Sequence, residues 1–146
     1  LQAALSEARS TNRSVWVING GPGCGPCIRL ARWVRQHADI LEHYLRILKL
    51  TGGMDIDSRR IADELGGGQS GIPFHAIVNP DGDLLINSIG PLGNIGMPGS
   101  LEGLRHFRSM LNAAQQNLSD EQINQLLDSL KGDQSRARHL AYRRTK

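Results

Sequence analysis

Gly20-Gly21-Pro22-Gly23-Cys24-Gly25-Pro26-Cys27 holds both cysteines of the 146-residue chain and separates two runs of different character. Val15-Trp16-Val17-Ile18 before it is short, continuous and rich in β-branched residues, as a strand covered on both faces should be. After it, Ile28, Leu30, Ala31 and Val34 recur at helical spacing, so the stretch reads as strand, glycine-rich turn, cysteine, helix. A sulfur in the first turn of a helix faces amide donors without helical partners and the positive end of the macrodipole, and both favour the thiolate. With two residues between the cysteines, a mixed disulfide formed at Cys24 can be resolved by Cys27. Pro26 has no amide hydrogen and a fixed φ, which suits the first helical turn and stiffens the ring. The spacing leaves two other readings open: half of a metal site, and a pair of inert buried thiols.

Outward from this centre the chain alternates strands and helices. Leu1, Ala4, Leu5 and Ala8 form one stripe of an N-terminal helix over residues 1–12, with Asn12 as its stop, ahead of a strand at 14–19. The helix after the cysteines runs from about Cys24 to His37, with Trp33 and Val34 facing the core. Ile40, Leu41 and Tyr44 keep helical spacing, whereas residues 45–50 alternate as a strand. Asp57 or Ser58 is expected to cap a short helix that ends at Leu65 before Gly66-Gly67-Gly68. Residues 74–78 and 83–89 flank Asn79-Pro80-Asp81-Gly82 as an antiparallel hairpin. Gly90 to Gly99 reads as a loop. Ser100 caps a helix with Leu101, Leu104, Phe107, Met110 and Leu111 on its buried stripe, and Ser119 with Gln122 forms a capping box for an added helix with Ile123, Leu126, Leu127 and Leu130 inward.

Length favours one domain, and 39% hydrophobic with 21% charged residues is ordinary for a globule. No apolar run approaches the ~20 residues needed to cross a bilayer. The net charge of +3 comprises +5 from residue 131 onward, where six basic residues face Asp133 alone, and −2 from the remainder. The expected domains are 1–131, including the added helix, and a basic C-terminal tail at 132–146 that is solvated rather than a nucleic-acid contact, since only Tyr142 there could stack on a base. The start at Leu1 fits either a removed leader or a shortened sequence. The reading leans to an exported bacterial protein, periplasmic or extracellular rather than cytoplasmic.

Cys24-Gly25-Pro26-Cys27 after an apolar strand resembles the active site of the thioredoxin-like family. Gly71-Ile72-Pro73-Phe74 resembles its cis-proline loop, Asn79-Pro80-Asp81-Gly82 its hairpin turn and Gly90 the glycine ending the next strand, so the likeness spans roughly residues 14 to 115. It implies a three-layer α/β/α fold, with a central mixed sheet of four to five strands and an extra C-terminal helix. It implies a thiol–disulfide oxidoreductase without a cofactor, with Cys24 as nucleophile and Cys27 as resolving thiol. Gly23, Gly25 and Pro26 would form the active-site loop, and Ile72, Pro73 and Gly90 the substrate-binding positions. The Gly-Pro pair resembles that of reducing members and favours a protein disulfide reductase. Its partners would be protein or peptide thiols and disulfides and a redox partner protein, with no nucleic acid, and the chain a monomer.

Two departures matter. Thioredoxins carry tryptophan where this chain has Gly23, and another aromatic residue where it has Gly20. Their buried aspartate, six residues before the first cysteine, corresponds to Ile18, which cannot accept a proton from the resolving thiol. Two other functions stand beside the oxidoreductase. One is a soft-metal module holding copper or zinc with Cys24, Cys27 and His75. The other is a peptide-binding adaptor without turnover. His75 itself reads as a satisfied, partly buried side chain, the other four histidines as surface residues, Trp16 and Trp33 as packing, and Asn94-Ile95-Gly96 as either a substrate rim or an ordinary loop.

Overall fold

The structure is a computed structural model that describes residues 1–51, 55–114 and 118–144, with side chains described as far as residue 132. In chain order the elements are α1 (Gln2–Thr11), β1 (Ser14–Asn19), α2 (Gly25–Gln36), α3 (Ala38–Tyr44), β2 (Leu45–Leu50), α4 (Ile56–Glu64), β3 (Phe74–Val78), β4 (Leu84–Asn87), β5 (Ile89–Gly90), β6 (Gly93–Asn94), α5 (Leu101–Ala113) and α6 (Asp120–Arg144). The main sheet has the order β2-β1-β3-β4, with β1 parallel to β2 and antiparallel to β3, and β3 antiparallel to β4. A parallel β1–β2 pair needs a long crossover, which α2 and α3 supply.

All six residues of central β1 are buried, and the period-two alternation sorts them between two cores. Trp16 and Ile18, with Ile77 of β3, pack against α2, α3, α5 and α6. Val15 and Val17, with Phe74, Ala76 and Val78, pack against α1 and α4. The result is the three-layer α/β/α arrangement on a four-stranded mixed sheet that the resemblance implied.

The first core is the more aromatic. Phe107 of α5 lies 5.7 Å from Trp16, 5.8 Å from Trp33 and 6.0 Å from His75 between ring centroids. These tilted and edge-on geometries are the favourable ones for aromatic quadrupoles. Trp33 Nε1 donates to Ser129 Oγ of α6 at 2.9 Å, so the added helix satisfies a polar atom of the core besides covering it.

Some sequence expectations shift. The cap of α4 is Asp55 rather than Asp57 or Ser58: Asp55 Oδ1 accepts from Ser58 N at 2.7 Å, while its Oδ2 accepts from Ser58 Oγ and from Thr51 Oγ1. Those donors hold its carboxyl below the usual range, with the Thr51 hydroxyl the largest cause. The strand expected at 83–89 breaks at Ser88; its last residue, Ile89, joins Gly90 as β5 and pairs with β6, which lies in the stretch that reads from sequence as loop. Helix α6 spans Asp120–Arg144, across residue 131, and the side chains of the expected basic tail from residue 133 on lie outside the described residues. No described helix is long and apolar enough to cross a membrane.

Candidate active site

Strand β1 ends at Asn19, residues 20–23 turn the chain, and Cys24 is the N-cap of α2 with extended backbone. Cys24 and Cys27 are joined as a disulfide with their Cα atoms 5.2 Å apart. Cys27 N–H donates to Cys24 Sγ at 3.2 Å, so the sulfur takes the place that a serine or aspartate oxygen occupies in an ordinary helix cap. The two sulfurs differ in access: Cys24 is half-buried, whereas Cys27 is 8% exposed. Gly23, Gly25 and Pro26 are all exposed around Cys24.

The loop before β3 closes over the same place. Ile72 O lies 3.9 Å from Cys24 Sγ, the Ile72–Pro73 peptide is cis, and the Ile72 side chain is exposed while Pro73 is buried. On the Cys27 side is an open hollow of about 370 Å³, walled by Ile18, Gly20, Cys27, Ala31 and Pro73 among others, with exposed Lys49 at its edge. A β-carbon at position 20 would stand 3.2 Å from Cys27 Cβ and 3.4 Å from its Sγ. Glycine there lets the loop pass close without covering the sulfur.

A hydrogen-bond network that runs from half-buried Asn94 to buried Ser88 and His75 holds the proline loop from behind. Asn94 Nδ2 donates to Pro73 O at 3.0 Å and to Ser70 O at 3.3 Å, while its Oδ1 accepts from Ser88 Oγ at 2.7 Å and from Gly96 N at 3.2 Å. Ser88 Oγ in turn accepts from His75 N at 3.0 Å. His75 is fully buried. Its Nδ1 accepts from Trp16 Nε1 at 3.1 Å, and since indole N–H only donates, the imidazole proton sits on Nε2 and goes to Gly96 O at 3.0 Å. Burial, chiefly, with a smaller contribution from nearby His106, lowers its pKa from 6.5 to about 4 against the opposing Gly96 bond, so it is neutral.

The structure thus gathers Cys24, Cys27, Gly23, Gly25, Pro26, Ile72 and Pro73 at one edge of the molecule. Gly90 is placed differently: it lies under the His106 ring, where a β-carbon would meet Cγ at 3.1 Å, and it does not line the hollow beside Cys27. His75 is deeper than the partly buried position expected, and with both ring nitrogens engaged it is not free to join the cysteines as a metal ligand. Among the described residues no three or more His, Cys, Asp or Glu side chains converge as a metal site. His106 and His37 are half-buried rather than surface residues: His106 Nε2 donates to Asn87 O at 2.8 Å, and the His37 ring packs on Trp33 at 5.0 Å. His43 is exposed, and the His139 side chain lies outside the described residues. Sequence reasoning missed Asn94 as the anchor of the proline loop; its only hint was an amide side chain among glycines just past a strand.

A cysteine pair that caps a helix beside a strand end, one sulfur open and the other sheltered, defines a thiol–disulfide oxidoreductase. The profile of the thioredoxin-like family matches residues 1–80, more than half of the chain and including the dithiol and Pro73, and the protein belongs to that family. Among solved structures it is similar in fold to the disulphide isomerase from Xylella fastidiosa Temecula1, with a TM-score of 0.57 and 19% identity over 88% of this chain and 86% of that one. No curated protein sequence matches it.

Proposed function

We propose that the protein is a protein disulfide reductase in which Cys24 is the nucleophile and Cys27 the resolving thiol. The observation that carries this reading is the asymmetry of the pair: Cys24 is the accessible sulfur and the one that receives the Cys27 amide at 3.2 Å. That donor and the end of α2 favour the anion once the disulfide is reduced. The Cys24 thiolate attacks a substrate disulfide, forming a mixed disulfide and expelling one substrate thiolate. The Cys27 thiolate then attacks Cys24 Sγ, releasing the second substrate thiol and leaving the Cys24–Cys27 disulfide. A redox partner protein returns two electrons to complete the cycle.

The Ile72 carbonyl beside Cys24 and exposed Ile72 support an extended protein segment lying against this loop, with backbone pairing as the source of affinity. The fold's likeness to a disulphide isomerase agrees with protein thiols as substrates. The Gly25-Pro26 pair between the cysteines is the basis for reduction over oxidation.

Two measurements test the reading. Cys27→Ser should trap a substrate through Cys24, visible as a reducible adduct, while Cys24→Ser should trap nothing and lose all turnover. The dithiol potential should fall towards the about −270 mV of a reductant rather than the about −120 mV of a strong oxidant. Trapping through Cys27 in the Cys24→Ser protein would reverse the roles, and a potential at the oxidising end would reverse the direction.

A further inference from the structure

We propose that the hollow beside Cys27 is the port through which the resolving thiol exchanges its proton with solvent, in place of an acidic group inside the protein. The inference rests on the reductase reading above and concerns only its second step. That step needs Cys27 as thiolate, so its proton must leave while Cys24 is bound to substrate. Among the described residues that line the hollow there is no carboxylate and no imidazole; Thr51 is there, and its hydroxyl is committed as a donor to Asp55 Oδ2. From β1 comes Ile18, from α2 Ile28 and Ala31, from the turn glycine and proline, from β2 Leu50 and from the loop before β3 Pro73; among the described residues the one charged side chain at the hollow is Lys49 of β2, register partner of Ile18, exposed at the edge. The Lys49 ammonium has three donors and no lone pair to take a proton. Arg29 of α2, whose Nη1 reaches 3.6 Å from where a Gly25 β-carbon would stand, is likewise a cation.

Space replaces the missing group. The hollow is open to solvent, and about 370 Å³ is room for several waters at roughly 30 Å³ each. Cys27 forms part of its wall, and the absence of a side chain at position 20 leaves Sγ facing it. The sequence of events is then balanced within the reaction already described. Cys27 S–H gives its proton to water in the hollow, the thiolate attacks Cys24 Sγ, and the departing substrate thiolate takes a proton from bulk solvent. Lys49 at the edge attracts the forming anion without touching the proton.

Gly20→Ala adds one methyl group over Cys27, and Ala31→Leu fills the hollow from the helix side without disturbing helix propensity. In stopped-flow reduction of a protein disulfide by the full-length dithiol protein, each variant should form the Cys24 mixed disulfide at the parental rate and resolve it about tenfold more slowly, because thiol reactivity follows thiolate fraction and access. The parental resolution rate should rise steadily with pH up to the Cys27 titration, with no step in the carboxylate range. A third measurement needs no filling variant: in Cys24→Ser protein, iodoacetamide should alkylate Cys27 readily, while a maleimide on a long polymer should not. Unchanged resolution in both filled variants, a pH step in the carboxylate range, or a Cys27 inert to iodoacetamide would each overturn the port. Loss of mixed-disulfide formation in the parent would instead overturn the reductase reading beneath it.

Discussion

Residues 20–23 bring three glycines and a proline to the rim of the dithiol, whereas the core between the sheet and its α2 and α5 layer holds Trp16, Trp33 and Phe107, half of the chain's Phe, Trp and Tyr. Rim and floor are made from opposite materials. The rim has few side chains to hold a partner by shape. The floor fixes α2, and with it the two cysteines, through aromatic contacts and the bonds of Trp16 to His75 and Trp33 to Ser129. Reactivity here depends on where the floor sets the helix end, and recognition falls to backbone groups and to the loop at Ile72.

Phe107→Ala attacks this contrast most directly. Removing a fully buried ring that touches Trp16, Trp33 and His75 should cost about 3–5 kcal/mol in denaturant unfolding, the usual range for such truncations. A loss below about 1 kcal/mol would mean that the aromatic floor does not position α2.

Acid offers the next test. Because His75 has its pKa lowered from 6.5 to about 4, the folded protein binds fewer protons than the unfolded chain between those values. Its contribution is therefore complete above pH 6.5 and is lost as pH falls towards 4, by roughly 3 kcal/mol in all, with no further loss from this group below that. His75→Leu should be less stable at neutral pH, since Trp16 Nε1 and Gly96 O lose their partner, yet flatter across that window. Equal slopes in parent and variant, measured by urea unfolding at several pH values, would refute the assignment.

The smallest effect is expected where floor and rim are joined. Asn94→Ala should lower stability by about 1 kcal/mol, since this half-buried amide links Ser88, Gly96 and Pro73 by hydrogen bonds. It should slow turnover on a protein disulfide more than on a small aromatic disulfide, because the Pro73 loop loses its anchor and Cys24 does not. Equal slowing of both substrates would place Asn94 in the general scaffold instead.

Much of this was legible beforehand, for local reasons. The buried run at 14–19, the cysteine at the start of a helix, the Ser100 cap and the Ser119–Gln122 box are written in neighbouring residues, and the structure has each of them. What was misplaced depended on partners outside the element itself. Asp55 caps α4 with help from the Thr51 hydroxyl, and Ser88 breaks its strand because its hydroxyl is shared between His75 and Asn94. Alternation alone could not say which face His75 would take, since both faces of β3 are buried.

By itself the sequence placed two cysteines at one helix start with an apolar strand before them, and its resemblance to the thioredoxin-like family implied the chemistry and put isoleucine where that family keeps a proton acceptor. Folding decided what the two sulfurs are to each other and to solvent. Only when β1, α2 and the Pro73 loop converge does Cys24 come under the Ile72 carbonyl while Cys27 turns to a hollow left open by Gly20. Burial and access are properties of surfaces, and surfaces exist only once distant segments have been packed together.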